Sequence, residues 1–179
     1  MNQIVDTENG GSTETSQSES ALVDRSQPPL PLPCDQSTVC QLDEGNLWNE
    51  KGEALLSLGN DAAAIACFQS AIAYNPTVAV SHYNLGRSSY LVGLYDQAIE
   101  SFRHLLRLQP DFPHADYSLG LALYAAGNYQ EAIATLQQAL SSQPDFADAW
   151  YALGLALFAT GRYESAIKRF NQALEYQPH

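Results

Sequence analysis

At 179 residues and a net charge of −12, the chain has the length of one ordinary domain and an average field that repels phosphate backbones and anionic headgroups. Nucleic acid and membrane surfaces are therefore poor partners, while 45% hydrophobic residues supply enough apolar material for a packed core. Three cysteines, Cys34, Cys40 and Cys67, are too few and odd in number for a disulfide framework, which agrees with a reducing compartment.

The opening stretch, MNQIVDTENGGSTETSQSES, lacks the basic and apolar regions of a secretory signal, and nowhere do 18 uncharged apolar residues run together. A cytoplasmic protein without membrane insertion is the expectation. Residues 1–44 hold four prolines, no aromatic residue, and one base, Arg25, against eight acids. Such a segment buries too little apolar surface to offset its ordering entropy, so a disordered acidic tail is predicted. Within it, RSQPPLP from Arg25 to Pro31 has the basic residue and Pro-x-x-Pro spacing of polyproline II ligands, a short pattern that proline-rich linkers produce often.

Residues 45–179 carry all eighteen aromatic residues and form the predicted folded part. Laid out with a period of 34, they give four segments without an insertion: 45–78, 79–112, 113–146 and 147–179. Glycines recur at 52, 86, 120 and 154, and again at 59, 93, 127 and 161; alanines recur at 64, 98, 132 and 166, and prolines at 76, 110, 144 and 178. Self-similarity at this period marks stacked supersecondary units, each unable to bury its own apolar face.

Each segment predicts a helical hairpin. Trp150, Leu153, Ala156 and Leu157 follow helical spacing and make a first amphipathic helix. Gly161 ends it, because a residue without a Cβ closes a helix in the left-handed conformation. A second helix carries Tyr163, Ala166, Ile167, Phe170, Ala173 and Leu174 on its buried face, and Pro178 stops it. Small side chains at Gly154 and Ala166 place the helix crossing there.

These residues resemble the tetratricopeptide repeat, whose signature is Trp, two residues, Leu-Gly, two residues, Tyr, then Ala, three residues, Phe, and a late Pro. The fourth segment supplies Trp150, Leu153, Gly154, Ala166, Phe170 and Pro178, lacking only the Tyr, which is Leu157. The resemblance covers residues 45–179 and implies an all-α, right-handed α-solenoid of helix-turn-helix repeats behind the tail. Repeat one departs from it with Lys51 and Asp61 where later repeats have Leu and Tyr, polar replacements that read as a cap. At the other end Phe170, Leu174 and Tyr176 are expected to lack cover and to form a docking patch, through which the last repeat can self-associate, or a small tolerated apolar area.

The resemblance also implies that the first helices of successive repeats line a concave groove for a peptide or a partner's helix. The inward positions are Asn49, Glu50, Glu53 and Leu56, then Tyr83, Asn84, Arg87 and Tyr90, then His114, Tyr117, Ser118, Leu121 and Tyr124, and finally Asp148, Tyr151, Leu155 and Phe158. Six rings among them either grip a ligand or pack helix against helix. Four helices about 9 Å apart span roughly 30 Å, the reach of about nine extended residues. Arg87 beside Asn84 suits a carboxylate or a backbone amide, unless Glu53 pairs with it. Some relatives clamp acidic chaperone tails with Lys, Asn and Arg; here the matching positions are Asn49, Glu53, Asn84, His114 and Ser118, of which only Asn84 fits. Glu53 would repel the carboxylate such a clamp holds.

No His or Cys pair stands at ligand spacing, no glycine loop falls between a strand and a helix, and His82, His104, His114 and His179 lie on different elements. No catalytic residue, metal or cofactor is implied. The reading is an adaptor or scaffold that binds a protein or peptide. Its alternatives are a regulatory or tethering subunit of a separately encoded enzyme, and a self-associating repeat protein.

Overall fold

The computed structural model describes residues 38–176, with side chains from Glu44 onward. The tail, its RSQPPLP motif, Cys34, the Cys40 side chain, Pro178 and His179 lie outside the described residues. Eight helices follow in order: α1 (Thr38–Ser57), α2 (Asp61–Tyr74), α3 (Ala79–Leu91), α4 (Tyr95–Leu108), α5 (Ala115–Ala125), α6 (Tyr129–Ser142), α7 (Ala147–Ala159) and α8 (Tyr163–Tyr176). Among the described residues there is no strand. Helix α1 begins before Gly45, the first residue of the predicted repeat array. Residues 38–44 contain neither Gly nor Pro, so nothing in them halts a helix continuing upstream from the first repeat. Composition averaged over the whole tail hid that local competence.

Each hairpin turns at its expected glycine. Gly59, Gly93, Gly127 and Gly161 take φ of 72°, 83°, 82° and 77°. The following amide reaches back over the helix end, as from Leu94 to the Ser89 carbonyl at 2.8 Å and from Arg162 to Leu157 at 2.9 Å, so carbonyls left over by the helix are satisfied. The other glycine column faces the partner helix. A Cβ on Gly86 would lie 2.7 Å from the Phe102 ring, and one on Gly120 would lie 2.6 Å from Leu136, so absence of a side chain is what lets the two helices of a repeat touch. Ala64, Ala98, Ala132 and Ala166 on the opposing helices are buried.

Helices pack in a fixed order. Each odd helix touches the next odd helix, whereas no even helix's backbone approaches another even helix. Odd helices therefore crowd on one side and even helices splay on the other, which curves the stack with α1, α3, α5 and α7 on the inner wall. On the outer side Arg103 of α4 bridges to Glu131 of α6 at 2.5 Å. That exposed ion pair contributes little to stability.

The apolar core is divided. One cluster runs from Ala98 through Phe102, Leu123, Leu136 and Leu153 to Ala166, and a smaller one joins Ala64, Ile65 and Phe68 to Leu85. Between them α3 buries polar groups: Ser81, His82, Asn84, Ser88 and Ser89. His82 keeps its ring dry against His104, with centroids 5.4 Å apart. Its Nε2 lies 3.0 Å from the Pro76 carbonyl, which can only accept, so Nε2 carries the proton. Burial lowers the pKa of His82 from the ordinary 6.5; the carbonyl bond opposes this, and His104 and Arg107 lower it further. A folded pKa below the unfolded one means that stability is fully present above the unfolded value and is lost as pH falls through it. Thermal melts should thus show a falling midpoint from pH 7 to pH 5, and His82→Trp, the residue found at Trp48 and Trp150, should flatten that slope. A midpoint that rises over this window contradicts the assignment.

Candidate functional site

The inner wall carries two rows of rings. Tyr83, Tyr117 and Tyr151 form one and Tyr90, Tyr124 and Phe158 the other, both at the 34-residue repeat. Tyr83, Tyr90, Tyr117 and Tyr124 are half-buried, so each gives one part of its surface to the stack and the rest to the groove. Their packing partners are rings too. Tyr83 meets Phe112 at 5.1 Å, Tyr117 meets Phe146 at 4.7 Å, and Tyr151 meets Phe170 at 5.5 Å. The second row packs on the ring that opens the next helix: Tyr90 on Tyr95, Tyr124 on Tyr129, Phe158 on Tyr163. Phe112 and Phe146 did not figure among the candidate residues. Their recurrence in the twice-written Pro-Asp-Phe of residues 110–112 and 144–146 was the available signal.

The polar candidates separate. Asn84 is 5% exposed and donates from Nδ2 to Asn49 Oδ1 at 3.2 Å and to Glu53 Oε1 at 2.9 Å. Asn49 Nδ2 donates to the same Glu53 oxygen at 2.9 Å. This three-residue knot ties α1 to α3, so Asn84 serves the stack, and Glu53 is engaged by amides and not by Arg87. Arg87 is exposed, and among the described residues no carboxylate pairs with it. Glu50, His114 and Asp148 are exposed, while Leu56, Ser118, Leu121 and Leu155 are half-buried on the wall. Tyr117 has its pKa raised by burial first, and by the nearby Asp148 and Tyr90.

The last repeat shows what a neighbour does. Ile65, Ile99 and Ile133 occupy one column and are at most 9% exposed, whereas Ile167 in the same column is 59% exposed. Leu174 and Tyr176 are exposed with it, and Phe170 stays half-buried under Gly154 and Tyr151. Of α8 only Ala166 is fully buried. Among the described residues no group of three or more His, Cys, Asp or Glu is placed to hold a metal ion, and no helix is long and apolar enough to cross a membrane.

Repeated helical hairpins sharing one core, with an inner wall of regularly spaced rings, define an α-solenoid of stacked two-helix units. A family model described as tetratricopeptide repeat matches residues 83–140 and again 117–179, and one described as TPR repeat matches residues 52–93. The chain belongs to the tetratricopeptide repeat family. Among solved structures it is similar to MamA 41-end from Desulfovibrio magneticus RS-1, with 24% identity over 76% of this chain and 77% of that one and a TM-score of 0.72. It is also similar to a crystal structure of MamA, at 25% identity over 75% and 78% of the two chains and a TM-score of 0.71. A third is YrrB, described as a TPR protein with an unusual peptide-binding site, at 20% identity over 80% and 76% and a TM-score of 0.66. None of the curated protein sequences matches this chain.

Proposed function

We propose that the chain is a non-enzymatic interaction module whose inner wall holds an extended segment of a partner protein. The observation that carries this is the double row of rings, half-buried at Tyr83, Tyr90, Tyr117 and Tyr124 and exposed at Tyr151 and Phe158, with Arg87 beside it unpaired among the described residues. The rings are already stiffened by stacking on second rings, so binding costs little side-chain entropy, and their hydroxyls are suited to orient a peptide backbone. The anchors are Tyr83, Arg87, Tyr90, Tyr117, Leu121, Tyr124, Tyr151, Leu155 and Phe158, with Asn84 holding α3 in place behind them. Membership of the tetratricopeptide family and the peptide-binding site named for YrrB support the same reading.

The test is affinity capture from the native cell with the wild-type chain and with a Tyr90→Ala/Tyr124→Ala variant. Loss of two central anchors is expected to lower recovery of the specific partner at least about tenfold while helicity by circular dichroism is kept. Unchanged recovery removes the groove reading.

A second reading has its own observation, the uncovered Ile167, Leu174 and Tyr176 on α8. Here a second copy of the chain would take the place of the missing neighbouring repeat. Light scattering across a concentration series decides it, since a monomer at every concentration excludes self-association through the last repeat.

A further inference from the structure

One position in the repeat breaks its own pattern and leaves a hole. Trp48, His82, Asp116 and Trp150 occupy the same place in successive repeats. In repeat four the Trp150 indole lies beneath Arg169, 5.1 Å from its ring centroid, and donates from Nε1 to the Pro144 carbonyl at 2.8 Å. In repeat two His82 approaches the Pro76 carbonyl in the same way. Asp116 has no ring, and in repeat three a cavity of about 280 Å³ opens between the start of α5, the end of α6 and the loop before α5. Phe112, His114, Tyr117, Gln143 and Phe146 line it, together with Asp116 and Pro110.

The chemistry of the lining selects an occupant. Three rings converge there, Tyr117 on Phe146 at 4.7 Å and His114 on Phe146 at 4.9 Å. Two hydrogen-bond acceptors on its lining, the Asp116 carboxylate and the Pro110 carbonyl, lack a side-chain donor. Among the described residues nothing donates to the Asp116 carboxylate, and the Pro110 carbonyl lacks the ring donor that its equivalents at Pro76 and Pro144 have. Partial burial raises the Asp116 pKa from 3.8, as expected for a carboxylate with no donor to compensate lost water. What is missing is a flat group that stacks like the Trp150 indole, donates to a proline carbonyl and also satisfies a carboxylate. A guanidinium does all three: it is planar, stacks on aromatic faces and carries five donors in a fork that fits a carboxylate bidentately. An ammonium supplies the charge but not the plane. We infer that this pocket receives an arginine side chain of the partner segment, inserted where Tyr117 belongs both to the groove and to the cavity wall. The net charge of −12 favours approach of such a basic partner.

This rests on the groove reading for its physiological ligand, but the pocket is testable without it. The probe is Nα-acetyl-arginine amide, too short to occupy the groove, with Nα-acetyl-citrulline amide as the neutral isostere, titrated into the full chain and followed by amide NMR. Expected are shifts at His114, Tyr117 and Phe146 for the arginine probe, with citrulline about tenfold weaker. Asp116→Asn, which keeps the size and removes the charge, should weaken the arginine probe by a similar factor. Asp116→Trp should abolish binding by filling the hole as Trp150 does, with the thermal midpoint kept or raised. Tyr90→Ala/Tyr124→Ala should leave the probe unaffected, so a failed groove and a failed pocket are told apart. Absent shifts in the wild type, equal binding of citrulline, or an Asp116→Asn variant that binds arginine as before each overturn the assignment.

Discussion

Phe102→Ala is expected to destabilise the protein by about 3–5 kcal/mol, the range for emptying a buried aromatic site, read as a lower urea midpoint at unchanged slope. Phe102 is 2% exposed, faces the bare backbone of Gly86 and lies 6.1 Å from the Tyr83 ring. The site cannot relax much, since Gly86 has no side chain to swing inward and the helices are held by contacts on either side. The consequence extends beyond one repeat. Because each hairpin touches only its neighbours, a hole in repeat two uncouples the first repeat from the third and fourth, and amide exchange should accelerate first in α1–α4. Phe170→Ala is the internal control. It occupies the same column in repeat four, but it is only half-buried, and its loss should cost less than half as much. Equal costs at the two positions would show that burial by the next repeat is not what makes the column matter.

The second large effect is expected at the polar knot. Asn84→Leu removes both donors that Glu53 and Asn49 share across α1 and α3, leaving an acceptor in the junction without its partner, at a cost of about 1–3 kcal/mol. Protection in α1 and α2 should drop while that in α5–α8 stays, because the smaller apolar cluster reaches α3 only through Leu85. Glu53→Gln should be mild, since its side-chain carbonyl still accepts from Asn84. Adding Asn49→Leu to Asn84→Leu should recover part of the loss, as replacing both partners of the buried Asn84–Asn49 bond by apolar groups is far cheaper than orphaning one, while the exposed Glu53 turns to water. A double variant as damaged as the sum of the singles would mean that the bonds themselves carry no coupling. Ser118 and Ala152 take the place of Asn84 in later repeats, where Tyr83 and Tyr117 take the place of Asn49. Along the inner wall the first repeat is thus joined by hydrogen bonds and the later ones by rings.

Much of this architecture is local and therefore legible in residue order. A hairpin of 34 residues encodes its own turn, its helix crossing and its apolar faces, because Gly161 must take a positive φ and Gly154 must admit Phe170 whatever surrounds them. The period alone thus announced four two-helix units, whereas the wall on which the tyrosines stand was implied by the resemblance to the tetratricopeptide repeat. Whether a residue on a unit's surface is covered depends on the unit beside it, and no single repeat carries that information. Ile133 and Ile167 are the same residue in the same column, yet one is 6% and the other 59% exposed, since only the first has a following hairpin. Asn84 and Arg87 looked like a pair in sequence, but three-dimensional adjacency gave Asn84 to Asn49 and Glu53, and among the described residues left the guanidinium without a carboxylate. Asp116 carried no signal in the sequence; the cavity beside it exists only because Phe112 of one repeat and Tyr117 and Phe146 of the next stand around the space a ring would fill. Periodicity settles what each unit needs, and stacking settles which needs are met.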